Sequence, residues 1–290
     1  MVFLWKKRVK EKKRKVKGIA VSFLGTKKEK YEDNYLLYPS DIMSVEEQKE
    51  VGGNVNWHQW KEREQHTEFA LFAVSDGIGG ANHGEIASYV TVSKLHQYSL
   101  MLRETLPDEM ETVLEHIAQS INREVYIQAE KQKEWKGMGA TCAVLVLKDE
   151  TVFIMNVGDS RIYQWDLDKE KLVLMTKDQT EGQRLIDMGL LNEEEAKKCP
   201  QAEGLAEYMG KQPKDGILKP QIFHYPIKGR KRYFICSDGL SNYISFEKLQ
   251  NIFRREKAEG VSLELKRKVE RALEEKKVLD NITWLEVWLE

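Results

Sequence analysis

Phe69-Ala-Leu-Phe-Ala-Val74 is a short apolar run that stops at Ser75-Asp76-Gly77, the pattern of a buried strand entering a turn. From Gly84 to about Arg103 the apolar residues Ile86, Val90, Val92, Leu95 and Leu100 recur at helical spacing. A second helix is predicted from Asp108 to about Lys133, with Met110, Val113, Leu114, Ile117, Ile121 and Val125 on one side. Ala140–Leu147 and Thr151–Val157, joined by Lys148-Asp149-Glu150, carry a hairpin signal. So do Arg161–Trp165 and Lys171–Met175 around Asp166–Glu170. Tyr35–Tyr38, Tyr233–Cys236 and Ile282–Leu289 complete the strands, and further helices are predicted at 181–189, 192–198, 246–256 and 262–276. Hairpin-linked strands pair antiparallel, and the two long helices adjoin instead of alternating with strands. The pattern therefore predicts an α+β layered sandwich over a doubly wound sheet. The polar stretch Ser40–Thr67, with Gly52-Gly53, reads as a surface insertion whose Trp57 and Trp60 pack it onto the body in preference to anchoring a partner. Trp284 and Trp288, four apart in a β run, are expected on one face.

Composition adds a division of charge. Among 290 residues, 41% hydrophobic and 32% charged, 46 Lys and Arg face 47 Asp and Glu for a net charge of −1. Residues 1–17 hold nine bases (Lys6, Lys7, Arg8, Lys10, Lys12, Lys13, Arg14, Lys15, Lys17) and one acid, Glu11, so a local +8 leaves −9 on the rest. This reads as a disordered basic tail on an acidic domain spanning 18–290. The balance argues against a globally basic nucleic-acid binder, and no specific nucleic-acid partner is expected. No apolar run nears the roughly 18–20 residues of a membrane span. Met1–Trp5 precedes the basic run, the reverse of a signal peptide's order. Cys142, Cys199 and Cys236 are too scattered for a disulfide framework or zinc site. None is followed six residues on by arginine, since those positions hold Lys148, Leu205 and Asn242, which excludes a cysteine-dependent phosphatase loop. A cytoplasmic protein is expected. Residues 1–17 could add weak electrostatic contact with an anionic membrane, with a solvated tail as the alternative.

The positions of the acids change the picture further. Asp76, Asp159 and Asp238 each follow a predicted strand in a tight small-residue turn; Asp280 immediately precedes Ile282–Leu289, and Asp33 leads into Tyr35. One Asp-Gly is usually a turn. Five acids at strand edges are different, because carboxylates brought together require cations. With no His or Cys among them, the oxygen-only donor set favours Mg²⁺ or Mn²⁺.

These residues also carry a resemblance. Phe72-Ala-Val-Ser-Asp76-Gly77-Ile-Gly79-Gly80-Ala-Asn-His-Gly84-Glu85-Ile-Ala87-Ser88 resembles the central motif of the type 2C, metal-dependent Ser/Thr protein phosphatases, particularly their bacterial branch. Gly137–Thr141, Val157–Tyr163, Leu174–Asp178, Cys236–Leu240 and Asp280–Thr283 resemble further motifs in the family's order, so the likeness spans roughly 18–290. It implies a four-layer α/β/β/α sandwich with two central antiparallel sheets and two Mg²⁺ or Mn²⁺ ions at its edge. Asp76 would bridge both ions, with the Gly77 carbonyl on one. Asp238 and Asp280 would hold the other, Glu32 and Asp33 would contribute directly or through water, and Asp159 with Asp238 matches a third, weaker metal position. The implied reaction is hydrolysis of phosphoserine and phosphothreonine by a metal-activated water, with phosphoproteins as substrates and a counteracting Ser/Thr kinase as partner.

Departures from the family pattern bear on the substrate more than on the metals. Lys28 stands where the family's phosphate-binding arginine belongs, offering a point charge in place of a fork, and Tyr31 replaces an asparagine. Ile78 occupies the position of the eukaryotic histidine acid, and His83 reads as a turn residue. In the segment after Met188–Ala196, Glu207 replaces a basic residue. Arg161 and Arg123 are expected to be ion-paired or surface residues. These departures leave a second reading, a catalytically weak or silent family member that acts as a phosphoprotein-binding module.

Overall fold

A computed structural model describes residues 13–51, 58–78, 83–196, 198–256 and 260–289. In chain order its elements are β1 (Arg14–Phe23), β2 (Asn34–Leu37), α1 (Val45–Glu50), β3 (His58–Thr67), β4 (Phe69–Ser75), β5 (Gly77–Ile78), α2 (Gly84–Gln97), α3 (Ser99–Glu104) and α4 (Met110–Ala129). There follow β6 (Gly139–Ala140), β7 (Cys142–Lys148), β8 (Thr151–Val157), β9 (Arg161–Asp166), β10 (Lys171–Leu174), α5 (Glu181–Asp187) and α6 (Glu193–Ala196). The last are β11 (Gln221–Pro226), β12 (Lys231–Cys236), α7 (Asp238–Tyr243), α8 (Phe246–Arg255), α9 (Gly260–Glu274) and β13 (Ile282–Leu289).

Two antiparallel sheets form the centre, a six-stranded one in the order β10-β9-β12-β13-β1-β3 and a five-stranded one in the order β11-β8-β7-β4-β2. Period-two alternation places each strand's apolar residues in two cores. In β1, Val16 and Ala20 face the space between the sheets, while Ile19, Val21 and Phe23 face outward towards α8 and α9. In β4, Ala70, Phe72 and Val74 point between the sheets; Phe69, Leu71 and Ala73 meet α2 and α4. Helix α4 closes the other side with Leu114, Ile117, Ala118, Ile121 and Val125, spaced three and four apart. The expected four-layer sandwich is therefore present, and both hairpins form as read.

Trp284 and Trp288 share the outer core under α8 and α9, as their spacing predicts. Trp284 is fully buried; its ring stacks 5.8 Å from Phe23, and its Nε1 donates to Ser262 Oγ at 3.1 Å. Trp284→Ala should cost about 3–5 kcal/mol, the range for emptying a large aromatic site. Denaturant unfolding at equilibrium would measure it, and a loss below about 1 kcal/mol would contradict this packing.

Two boundaries differ from the sequence reading. The basic run does not stay outside the fold: Arg14, Lys15 and Lys17 belong to β1, and the domain's first strand starts before residue 18. Lys17 Nζ lies 2.6 Å from Glu62 and Lys15 Nζ 3.4 Å from Glu64. The other six bases of the run precede β1, and residues 1–12 lie outside the described residues. Second, the stretch read as a surface insertion is only partly one, because its last ten residues form β3, paired with β1 from Arg14↔Thr67 to Phe23↔His58. This strand escapes the apolar pattern because it is a charged sheet edge, His-Gln-Trp-Lys-Glu-Arg-Glu-Gln-His-Thr, a composition that discourages edge-to-edge association. Trp60 packs on the outer core as expected; Trp57 and Gly52-Gly53 lie outside the described residues. Among the described residues, no helix is long and apolar enough to cross a membrane.

Candidate metal centre

Backbone contacts bring four loops to one edge of the sandwich. Gly77 is wedged between the start of α2 and the loop before β2: a Cβ there would stand 2.2 Å from the Gly84 carbonyl oxygen and 2.6 Å from that of Glu32. Its N–H donates to the Glu32 carbonyl at 3.2 Å. Gly239 plays the same part for the last two loops, since a Cβ would meet the Asn281 carbonyl oxygen at 1.9 Å. Glycine at both sites lets chains approach where any side chain would hold them apart. The backbone of Asp76 is fixed by Thr141, which donates its N–H to the Asp76 carbonyl at 2.8 Å. The Thr141 Oγ1 in turn accepts from the Asp76 N–H at 2.9 Å.

The side chains are held as firmly. Asp33 is buried and its Oδ2 accepts from Ser237 Oγ at 2.8 Å; that hydroxyl also accepts from the Thr283 N–H at 3.0 Å. Asp238 begins α7, where Asn242, one turn on, donates to its Oδ2 at 3.2 Å. Asp280 Oδ1 accepts from the Asn281 N–H at 2.8 Å. Asn281 itself ties two loops, accepting from the Gly25 N–H at 3.3 Å and donating to the Lys30 carbonyl at 3.2 Å. Lys28 Nζ reaches both Glu32 Oε2, at 3.0 Å, and Asp280 Oδ1, at 2.9 Å.

Electrostatics show how closely the acids gather. Burial, and then the charges of Asp33, Asp238, Asp280 and Asp159, push the Asp76 carboxyl well above the usual carboxylate range. Burial raises Asp33 to about 7, with Asp280 and Asp238 adding to the rise and hydrogen bonds from Thr283 and Ser237 opposing it. Asp159 also rises to about 7, through burial and the charges of Asp238 and Asp178. Asp238 and Glu32 are raised mainly by burial. Burial opposes the charge of Lys28, but Asp280 and Glu32 outweigh it and hold the ammonium above the ordinary lysine range. One lysine cannot neutralise six acids. The cluster opens to solvent at Asp280, whose side chain is 46% exposed.

Such a cluster fits hard divalent cations. All the side-chain donors are oxygens, and the buried Glu32 Oε1 has no hydrogen-bond partner, leaving an acceptor for a cation. Among the described residues, no three acidic, histidine or cysteine side chains converge tightly enough to hold an ion by themselves. An ion here would therefore complete its shell with backbone carbonyls and water, as Mg²⁺ habitually does.

The structure thus gathers Glu32, Asp33, Asp76, Gly77, Asp159, Asp238, Asp280 and Lys28 at one edge. A profile of the family described as Protein phosphatase 2C matches residues 57–277. The chain belongs to the protein phosphatase 2C family. The serine/threonine phosphatase stp of Listeria monocytogenes serovar 1/2a is 30% identical over 188 residues, 63% of this chain and 71% of that protein. The serine/threonine protein phosphatase PstP of Mycobacterium tuberculosis is 29% identical over 178 residues, covering 61% of this chain and 33% of that protein. Among solved structures, the Staphylococcus aureus serine/threonine phosphatase Stp1 superposes with a TM-score of 0.72 at 22% identity, covering 94% of each chain. The catalytic domain of PstP in complex with two manganese ions gives 0.68 at 22%, covering 95% of this chain and 99% of that one. At those identities the structural likeness establishes the fold, and the profile match establishes membership of the protein phosphatase 2C family.

The departures from the protein phosphatase 2C pattern find structural explanations. Tyr31 is fully buried and its hydroxyl bonds Thr283 Oγ1, so it anchors its loop to β13. Glu207 is engaged by its own segment, accepting from Lys211 Nζ at 2.9 Å and from the Lys219 N–H at 3.0 Å. Arg161 is ion-paired as expected, with Nε 2.9 Å and Nη2 2.6 Å from the Asp178 carboxylate. His83 caps the start of α2 in the left-handed region, φ 65°, with Nδ1 3.0 Å from Glu85 Oε1. The supporting hydroxyls and amides of Thr141, Ser237, Asn242 and Thr283 were given no role by the sequence. Their contribution depends on partners up to 261 residues away.

Proposed function

We propose that this protein is a metal-dependent protein serine/threonine phosphatase, with phosphoproteins as substrates and an opposing Ser/Thr kinase supplying them. The observation that carries the reading is the convergence of Asp33, Asp76, Asp159, Asp238 and Asp280 on one partly open edge with too little positive charge among the neighbouring side chains. Asp76, the Gly77 carbonyl, Asp238, Asp280, Glu32 and Asp33 would hold two Mg²⁺ or Mn²⁺ ions, and Asp159 with Asp238 a third. When bound, such ions supply positive charge against phosphoryl oxygens and make water a usable nucleophile near neutral pH.

The chain's own residues provide orientation. Ser237 fixes the rotamer of Asp33, Asn242 that of Asp238, and Thr141 the backbone at Asp76. Preorganised groups of this kind do not have to reorganise as charge develops in the reaction. Lys28 stands beside Asp280 at the open side, where a cation can meet an incoming phosphate. The names of the Listeria and Mycobacterium relatives support the Ser/Thr specificity.

The test is phosphate release from a phosphothreonine peptide by chelator-stripped protein. Turnover should require added Mn²⁺ or Mg²⁺ and collapse in Asp238→Asn. Turnover without divalent ions, or indifferent to that substitution, would overturn the assignment.

A further inference from the structure

Lys28 sits in an unexpected place for a residue whose position suggests phosphate binding. Its ammonium is spent on two carboxylates, 3.0 Å from Glu32 Oε2 and 2.9 Å from Asp280 Oδ1. The placement is built into the backbone. The Thr26 N–H donates to the Val278 carbonyl at 3.1 Å, and the Thr26 hydroxyl to the same oxygen at 2.7 Å. The Lys27 N–H donates to the Leu279 carbonyl at 3.2 Å, and the Lys28 N–H closes the turn onto the Gly25 carbonyl at 3.1 Å. Gly25 itself packs so closely that a Cβ would meet the Asp280 carbonyl oxygen at 2.2 Å. The loop that carries Lys28 is therefore fastened to the segment that carries Asp280, and the lysine stem has only to fold inward.

Two other cations near the cluster are engaged elsewhere. Arg161 is clamped by Asp178, and Lys30 Nζ lies 3.4 Å from the buried Glu85. Lys28 is the residue that lends positive charge to the Glu32–Asp280 side.

We propose that Lys28 is a tethered counter-cation, and that a divalent ion binding at the Glu32–Asp280 side displaces it. This rests on the reading of the cluster as a metal centre. Metal uptake is then an exchange, in which a mobile double charge replaces a fixed single one at two carboxylates already partly satisfied. The exchange has two consequences. The protein holds its acids together before metal arrives, and it binds metal more weakly than the carboxylates alone would. The displaced ammonium, on a flexible four-carbon stem at the solvent-facing rim, becomes available to a phosphate only once the metals are in place. An arginine would serve this purpose less well, because its planar fork favours a fixed bidentate partner over a change of partner. Lys28 is in this sense a positioning residue that makes the substrate charge conditional on metal loading.

The experiment compares wild type, Lys28→Met, Lys28→Arg and, should the methionine variant fold poorly, Lys28→Gln. Each full-length chain is stripped with chelator, and two quantities are read: the melting temperature without divalent ions, and the Mn²⁺ dissociation constant by titration calorimetry. Lys28→Met and Lys28→Gln should melt lower than wild type when metal-free yet bind Mn²⁺ about tenfold more tightly, the usual scale of coupling between sites. Lys28→Arg should keep the metal-free melting temperature. The opposite signs are decisive, because a merely structural lysine would weaken both properties. Unchanged or weaker Mn²⁺ binding in both uncharged variants would overturn the proposal while leaving the metal centre intact. No Mn²⁺ binding by wild type would instead overturn the metal-centre reading, and the exchange with it.

Discussion

Asp76→Asn is expected to lower phosphatase turnover by on the order of a thousandfold, the scale seen when a preorganised electrostatic group is lost, while raising the melting temperature of the metal-free protein. The two effects have one cause. Asp76 is held where burial and four neighbouring aspartates oppose its charge, so its ionised form costs stability unless a cation is present. Asparagine keeps the shape and removes the charge, relieving repulsion that function requires. Steady-state assays with saturating Mn²⁺ and calorimetric melting in chelator measure the two sides. A variant that retains most of its turnover, or melts clearly lower without metal, would contradict the arrangement at the sheet edge.

The second large effect concerns pH. Without divalent ions the protein should lose stability as pH rises from about 4 to about 7, and saturating Mn²⁺ should remove that loss. Asp33 and Asp159 titrate near 7 in the fold, against an ordinary value of 3.8, so between these limits the folded chain holds protons that the unfolded chain has released. Raising the pH strips those protons and favours unfolding. Each unit of such a shift corresponds to about 1.4 kcal/mol, which makes buried Asp33 alone a substantial contributor. Cations that bind only the folded form reverse the trend; ligand at a hundred times its dissociation constant adds about 2.7 kcal/mol. Acids stabilised by partners act at the other end of the scale, as with Asp166, held below the usual range chiefly by its hydrogen bond with Lys231. Melting curves from pH 4 to 8, with chelator and with Mn²⁺, would show two diverging profiles. Parallel profiles would mean that the cluster does not take up the ion.

Much of this was readable from the chain because the decisive features are local. Asp76, Asp159 and Asp238 each end an apolar run in a small-residue turn, and those runs located the strands that carry them. Three of the longer strands were hidden for physical reasons. β1 opens with Arg14, Lys15 and Lys17, whose acidic partners are distant in the chain: Glu150 for Arg14, and Glu64 and Glu62 of β3 for the two lysines. β3 is polar because it is an edge. β11 is half-exposed and ends in proline, which also suits an edge. The family profile covers residues 57–277 and so leaves out Lys28, Glu32, Asp33 and Asp280. The motif resemblance at residues 25–33 and 280–283 assigned those four to the same site as Asp76 and Asp238, and the fold brings them to the same sheet edge. The ion pairs of Lys28 join neighbours four and 252 residues away, a combination that spacing does not reveal.

The position of β13 has a consequence for how the protein comes to be active. This strand lies between β12 and β1, pairing Ile282 with Phe23 and Leu289 with Val16, and Asp280 stands at its threshold. During synthesis the first strand can pair with β3, but its second partner is made more than 250 residues later, and contacts of such separation form slowly. Until that partner emerges, the six-stranded sheet remains open at its middle and the acids of the two ends of the chain have not met. A nascent chain stalled before residue 280 would therefore carry Asp76 and Asp238 but no assembled centre.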